Sequence, residues 1–371
     1  MQHPPARVVT TAIAEGLVSS TIARSVPLAA QVDLTMRCNE RCLHCYRVVE
    51  SRPELTADEI ERVLGELARA GTLYLTFSGG EIFLRSDLFR LIERARRLRF
   101  DVRLKTNALL VDDAAAARVR ALGVRQVDVS LYGAAAPTHD AITQVRGSFA
   151  RTLDGVRSLR AAGVKVKLAY PLMSVNVAEL AAVRRLATEL GAAVGVDPMI
   201  TARNDGHTAP VALRLSGGLL QRFLAETPPP PSAAPAADAP EPGHGPTIDD
   251  VPCSAAHNAC YVSAYGDVMP CVAMPVACGN VREESFDAIW QRSTKMLEVR
   301  AIRVSGLRGC SDCDAARFCT RCPGQALIED GDLHGPSQAA CEHAVASARA
   351  AGSTATPPLL SISARPLTLA H

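Results

Sequence analysis

Three cysteines, Cys38, Cys42 and Cys45, fall within the eight-residue run CNERCLHC. Thiolates are soft ligands that suit iron–sulfur clusters and zinc. Three of them on one loop can bind three irons of a cubane cluster and leave the fourth iron without a protein ligand. A structural zinc site instead closes four protein ligands in paired CxxC spacing. His44 lies inside the run, where a place beside the ligands is expected rather than ligation. Nine more cysteines follow at 253, 260, 271, 278, 310, 313, 319, 322 and 341, with none between 45 and 253. The run CSDCDAARFCTRC pairs two CxxC units, which alone would also suit a zinc ribbon. Histidines at zinc-ligand spacing are lacking, and nine cysteines exceed what one or two zinc sites use.

The compartment supports metal ligation. The N-terminus shows no basic start followed by an apolar core, so no secretory signal is expected. No run approaches the ~18 apolar residues of a membrane span. A cytoplasmic chain keeps its thiols reduced, and twelve cysteines then argue for metal rather than a disulfide framework. A formal net charge of +2 excludes bulk nucleic-acid binding as the main role.

Other chemistry-bearing residues sit at the ends of strand-like runs. SGGE, Ser78–Glu81, offers a flexible backbone beside a carboxylate. KTNALL places Asn107 at a strand end, and VSLYGA places Ser130 at another. The elements that would position them alternate through the first half of the chain. Strands are expected over 28–36, 72–80, 101–107, 126–133, 164–173 and 193–200. Helices are expected between them, notably 56–70 and 86–99, where apolar residues recur at three and four. Thr56 and Glu59 fit a capping box, and Ser86 stands where an N-cap belongs. Such alternation implies βαβ units and a parallel sheet, with active residues at the C-terminal strand ends. The expected division is an N-terminal segment (1–27), a partial barrel (28–225), a Pro/Ala-rich linker (226–250), a cysteine-rich domain (251–350) and a tail (351–371). A short helix is expected within 8–20.

With these motifs in place, the CxxxCxxC loop resembles the signature of the radical S-adenosylmethionine (SAM) superfamily. The fold this implies is a partial (β/α)6 barrel. In that family SAM chelates the open iron, and reductive cleavage of SAM yields a 5′-deoxyadenosyl radical that abstracts hydrogen from substrate. The resemblance implies that Ser78, Gly79, Gly80 and Glu81 form the GGE element at the SAM amino group, with the two glycines admitting the ligand. It implies Asn107 near the ribose, Ser130 near the SAM carboxylate and Tyr46 packed by the adenine. Ala108 departs from the family's usual glycine. THDAITQVRGSF (138–149) is similar to a further family stretch.

The C-terminal cysteines resemble the SPASM domain of radical SAM peptide maturases, with GDVMPC (266–271) as its Gly-x4-Cys turn. This implies two auxiliary [4Fe–4S] clusters, one on Cys253, Cys260, Cys271 and Cys322, the other on Cys310, Cys313, Cys319 and Cys341. The last pair is CxxC where the family commonly has CxxxC. Cys278 is left over and is expected to be a small buried residue. The activity implied is crosslinking or side-chain oxidation of a ribosomally made peptide. Expected partners are that precursor peptide, a flavodoxin or ferredoxin as reductant, and a separate leader-recognition protein, with no membrane or nucleic acid. The alternatives are haem-pathway chemistry on a tetrapyrrole, or a non-enzymatic electron carrier or zinc scaffold.

Overall fold

A computed structural model describes residues 16–226, 251–310 and 313–354. All six expected strands form: β1 Ala29–Thr35, β2 Tyr74–Gly79, β3 Asp101–Thr106, β4 Gln126–Ser130, β5 Val166–Pro171 and β6 Ala193–Asp197. They pair in parallel in sequence order, with helices between, as a partial α/β barrel.

Parallel strands buried on both faces read as continuous apolar runs. These alternate instead. Val32 and Leu34 of β1, Leu104 of β3, Val129 of β4 and Leu168 of β5 are fully buried in one continuous core with the helices. The intervening Asp33, Lys105, Asp128 and Lys167 therefore lie on the opposite, inner face.

Helix Ala57–Arg69 begins with the expected capping box: Thr56 Oγ1 accepts from Glu59 N, and Glu59 accepts from Thr56 N. Its Ile60, Val63, Leu64 and Leu67 are buried at helical spacing. The second expected cap fails. Helix Leu88–Arg97 has Asp87 at its N-cap, without a side-chain cap bond. The Asp87 carboxylate instead accepts a fork from Arg85 at 2.7 and 2.8 Å. Residues 16–23 are helical, and the rest of the expected 8–20 helix lies outside the described residues. So do 227–250, which hold all but the first residue of the expected linker, and 355–371 of the tail.

The C-terminal part continues the same sheet. Strand β7 (Ala259–Val262) pairs in parallel with β1, from Ala29↔Ala259 to Val32↔Val262. β8 (Asp267–Met269) and β9 (Gly279–Asn280) add antiparallel pairs, completing a nine-stranded sheet. Side chains lash the seam. Arg282 Nε lies 2.6 Å from Glu59 Oε1, Arg52 pairs with Asp267, and Trp290 Nε1 donates to Ser25 O at 2.6 Å. Among the described residues no helix is long and apolar enough to cross a membrane.

Candidate active site

The cysteine loop leaves the C-terminal end of β1 and is held mainly through its backbone. Glu54 accepts from Thr35 Oγ1 at 2.9 Å and from Met36 N at 2.6 Å. Arg41 N and Leu43 N donate to Thr143 O and Ile142 O, both at 3.0 Å. Those carbonyls end helix Ala136–Thr143, which the THDAITQVRGSF run explains. Asp140 takes the N–H of Gly147 and of Phe149 at 2.6 and 2.8 Å, folding the run back on itself. The run thus buttresses the loop.

The end of β2 locks the other side. Gly80 N donates to Thr35 O at 2.6 Å, and Glu81 N to Arg37 O at 2.8 Å. A Cβ on Gly80 would sit 1.9 Å from Arg37 O; on Gly79, whose φ is 130°, it would sit 2.3 Å from Thr35 O. The close approach seen at these glycines is to the protein's own backbone at Thr35 and Arg37, where the cysteine loop leaves β1, so they are needed there whatever ligand the turn meets. Ser78, before them, is buried at the β2 end.

Glu81 is likewise engaged internally. It is wholly buried; Oε1 accepts from Thr106 Oγ1 and Phe83 N at 2.7 and 3.0 Å, and Oε2 from Asn107 N at 2.8 Å. Burial pushes its carboxyl above the usual range against these hydrogen bonds. The residue ties the ends of β2 and β3 together. Asn107 Nδ2 donates to Asn39 Oδ1 at 2.6 Å, which joins β3 to the cysteine loop. Ala108, standing where the family has glycine, adopts φ 62°, and its buried backbone packs against Gly155. Ser130 ends β4, half-buried. Tyr46 O accepts from Asn204 N at 2.9 Å, while burial, with Asp33 nearby, raises its phenol.

Three residues near Cys42 escaped the sequence reading: Glu40, Tyr132 and His139. Cys42 Sγ lies 3.4 Å from Glu40 Oε2 and 3.8 Å from the Tyr132 hydroxyl. The His44 ring stands 4.7 Å from the Tyr132 ring, and the His139 ring stands 5.4 Å from it. Burial pushes the Glu40 carboxyl up to about 7 and His44 and His139 down to about 4. No spacing rule would have found Tyr132, which reaches Cys42 across ninety residues.

The C-terminal cysteines separate into two groups. Cys310, Cys313, Cys319 and Cys341 line one cavity of about 230 Å³. Burial pushes the thiols of Cys253, Cys271 and Cys260 up, and neighbouring cysteines, Cys322 for the first two and Cys271 for the third, push them the same way. Cys278 stands apart: it is buried, with Sγ 3.4 Å from Val276 O, and burial pushes its thiol up to about 11.

The donor set suits iron–sulfur clusters. Cys38, Cys42 and Cys45 are all reduced and half-buried in one loop, and beside them Glu40 Oε1 and His44 Nδ1 are buried without partners. Among the described residues no three His, Cys, Asp or Glu side chains sit at single-ion geometry. A cubane does not ask that of them, because each thiolate binds a different iron.

Fold and site define a partial α/β barrel with a three-thiol loop at its strand ends and a cysteine-rich extension. Residues 32–187 match the family model of the Radical SAM superfamily, and residues 253–323 that of SPASM, an iron–sulfur cluster-binding domain. The chain belongs to the radical SAM superfamily and carries a SPASM domain, which together imply a SAM-bound [4Fe–4S] cluster and auxiliary clusters. It is 29% identical to the AdoMet-dependent heme synthase of Methanosarcina barkeri, over 81% of this chain and 92% of that one. It is 26% identical to the mycofactocin maturase MftC of Mycobacterium ulcerans, over 85% and 90%. The fold matches Streptococcus suis SuiB bound to precursor peptide SuiA with a TM-score of 0.66, at 15% identity over 92% and 82%.

Proposed function

We propose that this radical SAM enzyme modifies a ribosomally synthesised peptide by crosslinking or side-chain oxidation. Cys38, Cys42 and Cys45 would hold the cluster, which with SAM bound supplies a one-electron cleavage of the cosubstrate. Ser130, Asn107 and the Ser78–Glu81 turn frame the cosubstrate from the strand ends, and Tyr46 covers one side. Glu81 acts through Thr106 and Asn107, holding the β3 end at the distance the site needs.

The observation that carries the peptide reading is the cavity lined by Cys310, Cys313, Cys319 and Cys341, which leaves Cys253, Cys260, Cys271 and Cys322 for a second set of four. Cys253, Cys260, Cys271 and Cys322 would hold one auxiliary cluster, and Cys310, Cys313, Cys319 and Cys341 the other. Full ligation suits them to taking up the electron released by an oxidation. The resemblance to MftC supports the same reading. The enzyme would work in the cytoplasm with a flavodoxin or ferredoxin as reductant and a separate leader-recognition protein.

A second reading, chemistry on a tetrapyrrole, is favoured by the heme synthase relative, which aligns with 81% of the chain. Anaerobic reconstitution should load about twelve iron per chain and give SAM-dependent 5′-deoxyadenosine. Mass spectrometry of a co-expressed precursor peptide then decides between the readings. Zinc loading, or no SAM cleavage after reduction, would overturn both.

A further inference from the structure

The inner face of the sheet carries charge, and one of its cations, Lys105, is near enough to Cys271 to favour its thiolate. Backbone register sets this charge out in rows. Lys105 stands opposite Asp128, and Asp128 opposite Lys167, so β3, β4 and β5 present Lys–Asp–Lys across one row. Arg103 lies one row deeper, opposite Gln126. All five are on the face turned away from the helices.

Carboxylates and cations on this face differ in access. Asp33 is fully buried, and both its oxygens accept from neutral donors, Gln31 Nε2 at 3.0 Å and Tyr261 OH at 2.9 Å. Asp128 is 8% exposed and holds Gln126 Nε2 at 2.6 Å, with Lys167 Nζ at 3.5 Å. The lysines are open. Lys105 is exposed, donates to Gln31 Oε1 at 3.0 Å and, among the described residues, enters no ion pair. Lys167 keeps 35% of its side chain accessible, and its contact with Asp128 is long. Gly195 gives the lysine stem its place, since a Cβ there would lie 3.1 Å from Lys167 Cε and 3.3 Å from Nζ. Whatever enters the barrel therefore meets ammonium groups, while the carboxylates behind them are covered.

We propose that Lys105 and Lys167 form a carboxylate-binding subsite inside the barrel, so that the substrate is a carboxylate-bearing molecule held one residue row below the cosubstrate. This rests on the enzyme reading above and narrows its substrate class. The shared chemistry is an anionic carboxylate, from acidic side chains of a peptide or from the propionates of a tetrapyrrole. A charge-assisted hydrogen bond in this partly enclosed face is worth enough to set preference, about tenfold per carboxylate.

The test uses anaerobically reconstituted holoenzyme with SAM bound and two matched probe pairs. One pair is coproporphyrin III and its tetramethyl ester; the other is a glutamate-rich peptide and its glutamine counterpart. The wild type should bind the charged member of one pair at least about tenfold tighter than its neutral twin, and the discriminating pair identifies the source. Lys105→Gln and Lys167→Gln should each remove most of that preference, and Lys105→Arg should restore part of it. The subsite is overturned if neither pair discriminates or if the Gln variants keep the preference. It is also overturned if their loss appears equally in SAM affinity, which would give the lysines to the cosubstrate carboxylate. Holoenzyme that cleaves SAM without carboxylate preference overturns only this subsite; failure to cleave SAM overturns the enzyme reading beneath it.

Discussion

The two cysteine-bearing regions are built in opposite ways. Around residues 35–47 the loop is held by neighbouring backbone and by half-buried side chains: Thr143 O, Ile142 O, Glu54, the Gly79–Gly80 turn and Arg47 Nη1, which donates to Met36 O. Between 253 and 341 the strands are two to four residues long, and besides an apolar core built on Phe286, Ile289, Trp290 and Met296 four thiols line a cavity. Arg321 Nη1 and both polar atoms of Gln325 are buried there without partners. The difference teaches which region depends on metal. The barrel prepares its cluster loop in advance, whereas the thiol-lined part of the SPASM region would be completed by its clusters.

The largest expected effects test each half in turn. Gly80→Ala would drive a methyl into Arg37 O, a backbone atom that cannot turn aside, at a cost of about 3 kcal/mol or more. Thermal unfolding and iron analysis should show a lower midpoint and loss of the first cluster, about four iron, with the auxiliary iron retained. Retention of all iron would break the comparison, because the loop would then not depend on this packing. Iron removal by a chelator tests the other half. Limited proteolysis read by mass spectrometry should find cleavage concentrated in 251–350 while 28–200 stays protected. Uniform cleavage would mean that the two regions depend on metal alike.

Glu81→Gln should have a middling effect. The amide keeps one acceptor but turns an NH2 toward donors that the carboxylate accepted from, costing about 2 kcal/mol. A thermal midpoint unchanged from wild type would show that Glu81 is not the tie between β2 and β3.

What the sequence could reveal follows the same divide. The six parallel strands were legible because β-branched and apolar residues alternate over five to seven positions, and each expected run contains its strand. The capping box at Thr56 was legible because its signal is local. Ser86 misled because Arg85 claims Asp87, a pairing the helix signal does not carry. β7 to β9 are too short to show a period, and the β1–β7 pairing joins residues about 230 apart in sequence. In the site, the thiols and the strand-end motifs were visible as types at spacings. The roles of Gly79, Gly80 and Glu81 as internal fasteners were not, because they depend on which backbone lies opposite.

The seam between the regions offers a smaller, pH-dependent test. The hydrogen bond from Arg282, helped by the Thr56 backbone and hydroxyl, holds the Glu59 carboxyl down at about 2 against a slight cost of burial. A depressed carboxyl stabilises the fold above its unfolded value, near 4.5, and the contribution is lost as pH falls toward 2. Both partners are partly accessible, so solvent screening leaves on the order of 1 kcal/mol at most. Glu59→Gln should flatten the acid limb of stability between those pH values. An unchanged acid limb would remove this pair from the seam.

The smallest expected effect concerns Ala108, where three terms nearly cancel. Its φ of 62° costs a non-glycine residue about 1 kcal/mol, so Ala108→Gly gains that much in the folded state. The variant gives up a buried methyl, about 0.8 kcal/mol, since Ala108 is only 1% exposed. Glycine also widens the unfolded ensemble, at a further cost of about 0.5 kcal/mol. The net change should fall within about 1 kcal/mol of zero. Gly155→Ala should not behave so mildly, because its new methyl would meet Ala108 O at 2.3 Å, and backbone cannot be trimmed. If the two substitutions cost the same in chemical denaturation, close backbone contact is not what fixes the β3 end. The barrel half would then be less rigidly prepared than its packing implies.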